Sequence, residues 1–175
     1  MSTYTLIQSQ TLASSAASVT FSSIPATYTD LVLRISARGD NSGIISDPFQ
    51  INFNTTGGTT DSYTRLRGSG SAASSSRISN GTGFYPFSYG GDGSGATAST
   101  FSSLEIYIPN YANTTYAKPM SAFTATENNA TAADIAAYAM LLNATGAINS
   151  VTIYEQGSAS FVSGSSFYLY GISSS

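Results

Sequence analysis

The sequence predicts an all-β fold, either a sandwich or a barrel, on three observations. Hydrophobic and polar residues alternate in short bursts, which is the pattern of a strand with one buried face. Tracts rich in Gly, Asn and Pro separate the bursts, and these residues form tight turns. The 175-residue chain carries 12 Tyr and 9 Phe, which argue against disorder although only 9% of its residues are charged. About ten short strands at this spacing are typical of one sandwich or barrel domain over residues 1–175.

The strongest strand pattern begins at Leu31. Leu31, Leu33 and Ile35 share one face, opposite Arg34 and Ser36. The same alternation predicts strands at three further places: Phe49, Ile51 and Phe53; Leu104, Ile106 and Ile108; and Phe167, Leu169 and Gly171, opposed by Tyr168, Tyr170 and Ile172. Weaker patterns predict strands within residues 4–9, 18–22, 63–67, 84–88, 120–126 and 151–154. Residues 1–16 are expected to form an N-terminal arm or edge strand that packs against a neighbour, since terminal strands need tethering to be ordered.

The segment ATAADIAAYAMLLNATG, which starts at Ala130, fits two patterns. As a helix it would carry an apolar stripe of Ala132, Ile135, Ala136, Ala139 and Leu142. As a strand it would turn Ile135, Ala137, Ala139 and Leu141 inward and Tyr138 outward. Periodicity alone does not separate the two patterns. We favour the strand because the apolar run is short, lies among other strands and ends in the turn-forming residues 143–146.

Two tracts of small residues are predicted to be loops. They are SGSAASSSRISNGTG, which starts at Ser69, and YGGDGSGATAST, which starts at Tyr89. Each is about a dozen residues long, and loops of that length tend to be functional and to carry partner contacts.

The tripeptide Arg38-Gly39-Asp40 follows the strand at Leu31 and matches a motif that animal cell-adhesion receptors recognise. Gly, Asp and Asn are turn formers, and Asn41 continues the series. We interpret the tripeptide as the exit turn of the strand, which would leave its tip exposed.

The composition excludes several classes of partner. Six Lys and Arg residues in a chain with a net charge of −3 cannot neutralise a phosphate track, so no nucleic-acid partner is expected. No apolar run approaches the roughly 20 residues of a membrane span, so no membrane partner is expected either. The first residues, MSTYTLIQSQ, lack the basic and apolar regions of a secretory signal.

The inventory of reactive residues predicts no catalytic, cofactor-binding or metal site. The chain has no His and no Cys, so the common catalytic triads and zinc sites are excluded. Its only lysine, Lys118, is not part of a phosphate-binding GxxxxGK[ST] loop. The GGDGSG tract at Gly90 lacks further acids at calcium-binding spacing after Asp92, so we interpret it as a hairpin connection.

Two weaker site hypotheses remain. Glu105 and Glu127 could form the carboxylate pair of a glycoside hydrolase, although both are expected on solvated strand faces or ends. Tyr85, Tyr89 and Tyr111 lie near predicted loops and could stack on a sugar, although core or interface positions are favoured for each.

The arginines offer a further candidate surface. Arg65 and Arg67 share one strand face, and together with Arg34 and Arg38 they supply four of the six positive charges. They could meet a carboxylate patch on a partner, but internal ion pairs are favoured. The expected partners are Asp30, Asp61 and Glu105.

Five segments, in this order, resemble small virion proteins of tailed bacteriophages, especially marine phages and cyanophages. They are SSAASVTFSSIPATYTDLVLRISAR, YTRLRGSGSAASSS, SSLEIYIPNY, KPMSAFTATENNATAA and FVSGSSFYLYGI. The resemblance implies an antiparallel jelly-roll-like β-sandwich of about 8–10 strands and a structural role, as a capsid decoration (cement) protein or in a tail appendage. The pattern contains no catalytic residues, and it matches the segment from Ala130 as a strand.

Three functions follow as expectations. The first is a capsid decoration protein, located on the virion surface, that binds the major capsid protein as a homo-oligomer, with a trimer as our expectation. The second is a tail-fibre module that binds a host receptor or carbohydrate. The third is a polysaccharide hydrolase using Glu105 or Glu127, which we disfavour because we expect the protein not to be an enzyme.

Overall fold

The computed structural model describes residues 3–54, 60–82, 85–129 and 131–173, and these form strands joined by turns and loops, with no helix among them. The strands are β1 (Thr3–Thr11), β2 (Ser18–Phe21), β3 (Asp30–Ser36), β4 (Ser46–Phe53), β5 (Thr60–Gly68), β6 (Ala73–Thr82), β7 (Tyr85–Asp92), β8 (Ser103–Ile108), β9 (Lys118–Ala125), β10 (Ile135–Leu142), β11 (Val151–Glu155) and β12 (Ser166–Ser173). The predicted all-β class is confirmed, as is a strand at each predicted place. Phe84 and residues 1–2 of the predicted arm lie outside the described residues.

Two antiparallel sheets make a sandwich. One has eight strands in the order β1-β12-β3-β8-β9-β10-β5-β6, and the other has four in the order β2-β11-β4-β7. If the hairpins β5-β6 and β9-β10 are set aside, the remaining eight strands have the order of a jelly roll, 1-8-3-6 facing 2-7-4-5 when renumbered along the chain. The jelly-roll-like sandwich is thus confirmed, and the two added hairpins explain why twelve strands exceed the expected 8–10.

The core lies between the two sheets and is one continuous apolar cluster. Leu31, Leu33 and Ile35 of β3 are buried in it, as their alternation predicts. The rings of Phe49, Phe161 and Phe167 pack edge to face in sequence, with centroids 5.0 Å apart at both contacts. Edge-to-face rings add to the hydrophobic stabilisation from their burial.

The segment from Ala130 is a strand over β10, but its predicted faces are wrong. Tyr138 and Met140 are buried, whereas Ile135, Ala137 and Ala139 are exposed. The space between the sheets is filled by the larger side chains, and Tyr138 packs edge to face against Phe87 of β7 with ring centroids 4.9 Å apart. Ala137 and Ala139 are left on the outer face with Ile135, while Ala136 is buried beside the larger residues of the inner set.

Both predicted loops are partly strand. The tract from Ser69 contains β6, which pairs with β5 from Gly68↔Ala73 to Thr60↔Thr82. Its serines lie on an edge strand, whose exposed side chains need not be apolar. Tyr89 to Asp92 in the second tract belong to β7, and Gly91 is required there because a Cβ would overlap the ring of Phe49.

The two edge strands of the eight-stranded sheet are largely exposed. β1 pairs with β12 as an edge strand, as predicted for the N-terminal segment, and none of its residues is fully buried. β6 forms the opposite edge. Tyr4 and Leu6 of β1 are about half exposed, at 52% and 51%. The sheet therefore presents a broad surface that the second sheet does not cover.

Candidate interaction surface

The outer face of the eight-stranded sheet is defined by the strand register. One row of directly opposed residues crosses six strands, from β12 to β5. Its members are Tyr168, Arg34, Glu105, Phe123, Ala137 and Leu66. These side chains point away from the core, because their neighbours along each strand point into it. We call this surface the outer face.

Half of the outer face is apolar. Leu66, Phe123 and Ile135 are 62%, 48% and 50% exposed and line one shallow groove. Ala137 lines the same groove, and Ala139 continues the apolar surface along β10. An antiparallel sheet with one solvated face normally carries polar residues there. A contiguous apolar patch instead is a mark of a surface that binds a partner.

The other half of the outer face is aromatic and carries one ion pair. Arg34 Nε donates to Glu105 Oε2 at 2.7 Å, and the carboxylate holds the pKa of Arg34 above its usual value. The Arg34 guanidinium lies 5.6 Å from the ring centroid of Tyr4 and 5.8 Å from that of Tyr170. Tyr168 stacks beside Tyr170 with centroids 6.4 Å apart. The pair neutralises its own charge, so this half presents ring faces rather than net charge.

Arg65 and Arg67 lie on the opposite, inner face of β5. They lie over the ring of Tyr89 in β7, with guanidinium-to-centroid distances of 4.9 Å and 4.0 Å. Arg67 also pairs with the buried Asp134, its Nε donating to Oδ1 at 2.6 Å, and Ser46 Oγ donates to Oδ2 at 2.8 Å. The predicted internal ion pair is confirmed for Arg67. Its partner is Asp134, which was not among the expected partners.

The other expected partners of the arginines have different contacts. Glu105 pairs with Arg34, as the prediction allowed. Asp30 accepts hydrogen bonds from Tyr107 Oη at 2.8 Å and from the Asn110 backbone at 2.9 Å. Asp61 Oδ1 accepts from the Asn143 backbone N–H at 2.9 Å.

Most of the Arg38-Gly39-Asp40 tripeptide is not presented to solvent. Arg38 donates to the backbone carbonyls of Thr97 at 2.8 Å and Ala96 at 3.1 Å, so its guanidinium holds the 94–100 loop. Gly39 is buried, and only Asp40 is exposed. The segment does leave β3, as predicted, but the expected exposed tip is wrong because Arg38 is bound within the fold.

Glu105 and Glu127, the candidate carboxylate pair of a hydrolase, make separate contacts and do not form one site. Glu105 is in the ion pair of the outer face, whereas Glu127 follows β9 and accepts a hydrogen bond from the Asn129 backbone at 3.1 Å. Among the described residues, no group of three or more acidic, His or Cys side chains could hold a metal ion. Lys118 is buried and donates to two backbone carbonyls, and burial lowers its pKa.

The three candidate sugar-binding tyrosines do not form a common exposed surface in the described part of the chain. Tyr111 is wholly buried and its hydroxyl donates to the Pro25 carbonyl, so the favoured core position is confirmed. Tyr89 is covered by two arginines, and the side chain of Tyr85 lies outside the described residues. Tyr4 and Phe123 are instead exposed rings of the outer face, where sequence analysis did not place a site. The signal that could have found this face is β10, in which both alternate sets of residues are apolar.

No protein-family model, curated protein or solved structure matches the chain. In the part of the chain that the structure describes, no helix is long and apolar enough to cross a membrane.

Proposed function

We propose that this protein is a structural component of a tailed-bacteriophage virion that decorates the capsid, docking on the major capsid protein as a homo-oligomer, with a trimer expected. The observation that carries the proposal is the apolar half of the outer face, formed around Leu66, Phe123 and Ile135. A lattice protein needs a broad, nearly uncharged contact surface rather than a deep pocket, because protein interfaces exclude charge from their centres.

Two further points support this proposal. The five segments that resemble phage virion proteins are distributed over most of the chain, from Ser14 to Ile172. The jelly roll is an architecture of viral capsid domains, although it also occurs in lectins, so it supports a function only by analogy. No catalytic role is assigned to any residue, and we expect no enzymatic activity.

The test uses virions that lack the protein. Purified protein is added to them, and the bound amount and the temperature of capsid disruption are measured. Phe123→Ser should abolish binding, whereas Tyr116→Ser should not, because Tyr116 is equally aromatic and 69% exposed but lies in the loop before β9. Equal binding by both variants would remove the outer face from the proposal, and no binding by the unaltered protein would remove the proposal itself.

A second candidate is a tail appendage that binds host carbohydrate. The observation that favours it is the aromatic half of the outer face, where Tyr4, Tyr168 and Tyr170 surround Arg34. Exposed rings beside a hydrogen-bond donor can stack on a sugar. A glycan array tests this candidate: saturable binding that Tyr170→Ala abolishes would favour the appendage over the capsid.

A further inference from the structure

A pair of buried acids lies at one end of the four-stranded sheet. Asp47 is near the start of β4 and Glu155 ends β11, and the antiparallel pairing of Glu155 with Phe49 brings both to the same end. Asp47 is 0% exposed and Glu155 is 5% exposed. Neither belongs to the outer face or to any site described above.

The two carboxyl groups converge on Gly39. A Cβ at that position would overlap both Asp47 Oδ2 and Glu155 Oε1, so these two oxygens lie within a few ångström of each other. Asp47 Oδ1 accepts a hydrogen bond from Asn41 Nδ2 at 3.2 Å. Asp47 Oδ2 and both oxygens of Glu155 are buried and accept no hydrogen bond of ordinary geometry in the described part of the chain, although the backbone N–H groups of Asn41 and Gln156 lie close enough to favour the charged forms slightly.

The charged groups around the pair are negative. Asp40 lies on the segment after β3, close enough to disfavour the ionised form of both acids. Arg38, on the same segment, instead directs its guanidinium to the 94–100 loop. Burial, with the nearby charges of Asp47 and Asp40, raises the pKa of Glu155 to about 9, and burial also raises the pKa of Asp47. Two ionised carboxylates at this position would be both desolvated and mutually repelled.

We propose that Asp47 and Glu155 share one proton in the folded protein, and that its loss at alkaline pH opens the 38–41 segment that covers them. Asn41 stabilises the charged form of Asp47, so the proton resides on Glu155 and its O–H donates to Asp47 Oδ2. Such a carboxyl–carboxylate pair titrates as one unit.

The covering segment links the acid pair to a larger part of the fold. The Gly39 amide donates to the Asp92 carbonyl at 2.8 Å, and the Asp40 amide donates to the Ser160 carbonyl at 3.0 Å. Gly39 packs directly on both carboxyl groups, so movement of this segment would expose them to water. When it moves, Arg38 also releases the 94–100 loop. Loss of the shared proton at alkaline pH therefore loosens both the 38–41 segment and the 94–100 loop at this end of the sandwich.

The direction of the pH effect follows from proton linkage. The pKa of Glu155 rises from an ordinary 4.5 to about 9 in the folded protein. The unfolded chain therefore releases this proton first, and stability present at acid pH is lost between about pH 4.5 and pH 9. Each pH unit inside that window lowers the folding equilibrium constant about tenfold, or about 100-fold from pH 6 to pH 8. The chain has no His and no Cys, so no side chain with an ordinary pKa titrates between these two values.

The experiment measures urea unfolding of the full chain at pH 6 and pH 8. The unaltered protein should lose about 100-fold in folding constant. Glu155→Gln should lose less than about threefold, because its amide stays neutral and still donates to Asp47 Oδ2. Glu105→Gln, an acid in the exposed pair of the outer face, is the matched control and should behave as the unaltered protein. If Glu155→Gln keeps the full loss, the shared proton is disproved.

A second variant and two further measurements complete the test. Should Glu155→Gln fail to fold, Asp47→Asn removes the charge that adds to burial in raising the pKa of Glu155, so the loss between pH 6 and pH 8 should be smaller than in the unaltered protein but not absent, and an unchanged loss would contradict the shared proton. Hydrogen exchange at pH 8 should be faster at the Gly39 and Asp40 amides in the unaltered protein than in Glu155→Gln, with Leu33 equal in both. Calcium at pH 8 should leave the stability of the unaltered protein unchanged. Stabilisation by calcium that Glu155→Gln abolishes would overturn the shared proton in favour of a cation site.

Discussion

The two faces of the eight-stranded sheet carry apolar residues for different reasons. On the inner face, Leu33 and Phe167 are 0% exposed and are held by the second sheet. On the outer face, Leu66 and Phe123 keep about half of their surface in water, and nothing in the described part of the chain covers them. The inner residues therefore account for stability, while the outer residues gain burial only when a partner binds. Mutations should separate these two roles.

The largest loss of stability is expected at Phe49 of β4. Its ring is 0% exposed and packs on Phe161 and against Gly91. Phe49→Ala should lower the free energy of unfolding by about 3–5 kcal/mol, because it removes the buried ring and leaves a cavity. Urea unfolding followed by circular dichroism measures this loss. A loss below about 1 kcal/mol would mean that the second sheet does not hold the inner face as described.

The two ion pairs of the sheet provide the next contrast. Asp134 pairs with Arg67 while its own side chain is only 2% exposed, whereas Arg34 and Glu105 on the outer face are both 51% exposed. Asp134→Ala should lower the free energy of unfolding by about 2–4 kcal/mol, because Arg67 and Ser46 would lose the carboxylate that accepts their hydrogen bonds.

Glu105→Gln should lower the same free energy by less than about 1 kcal/mol, since an exposed pair contributes little. The same denaturation experiment compares the two substitutions. Equal losses would contradict the assignment of Asp134 to a buried site.

The smallest effect on stability is expected at Leu66. Its side chain is 62% exposed at the edge of the outer groove. Leu66→Ser should change the free energy of unfolding by about 0.5 kcal/mol or less, because little burial is lost. It should nevertheless weaken binding to capsids that lack the protein, measured by sedimentation. Full binding would remove Leu66 from the contact surface.

Sequence reasoning succeeded where one physical cause dominates. The alternation at Leu31, Leu33 and Ile35 identified a core strand because each residue is either clearly apolar or clearly polar. It gave the wrong faces for β10, because apolar residues occur on both sides and side-chain volume, which periodicity ignores, decides which set is buried. It also read β6 as a loop, since an edge strand with two exposed faces has no alternation to detect.

Contacts between residues that are distant in the chain could not be predicted from the sequence. Arg67 meets Asp134 only because β5 pairs with β10, and Glu155 meets Asp47 only because β11 pairs with β4. Neither pairing leaves a local pattern. For the same reason the half-buried Tyr89 could not be distinguished from Tyr111, whose complete burial depends on the packing of the whole sandwich.

The number of copies in purified virions tests the central claim most directly. Quantitative mass spectrometry would compare this chain with the major capsid protein in the same particles. A capsid decoration protein should be present in the hundreds, at a fixed ratio to the major capsid protein. Absence from the virion would contradict the account, and a few to a few dozen copies would place the protein on the tail instead.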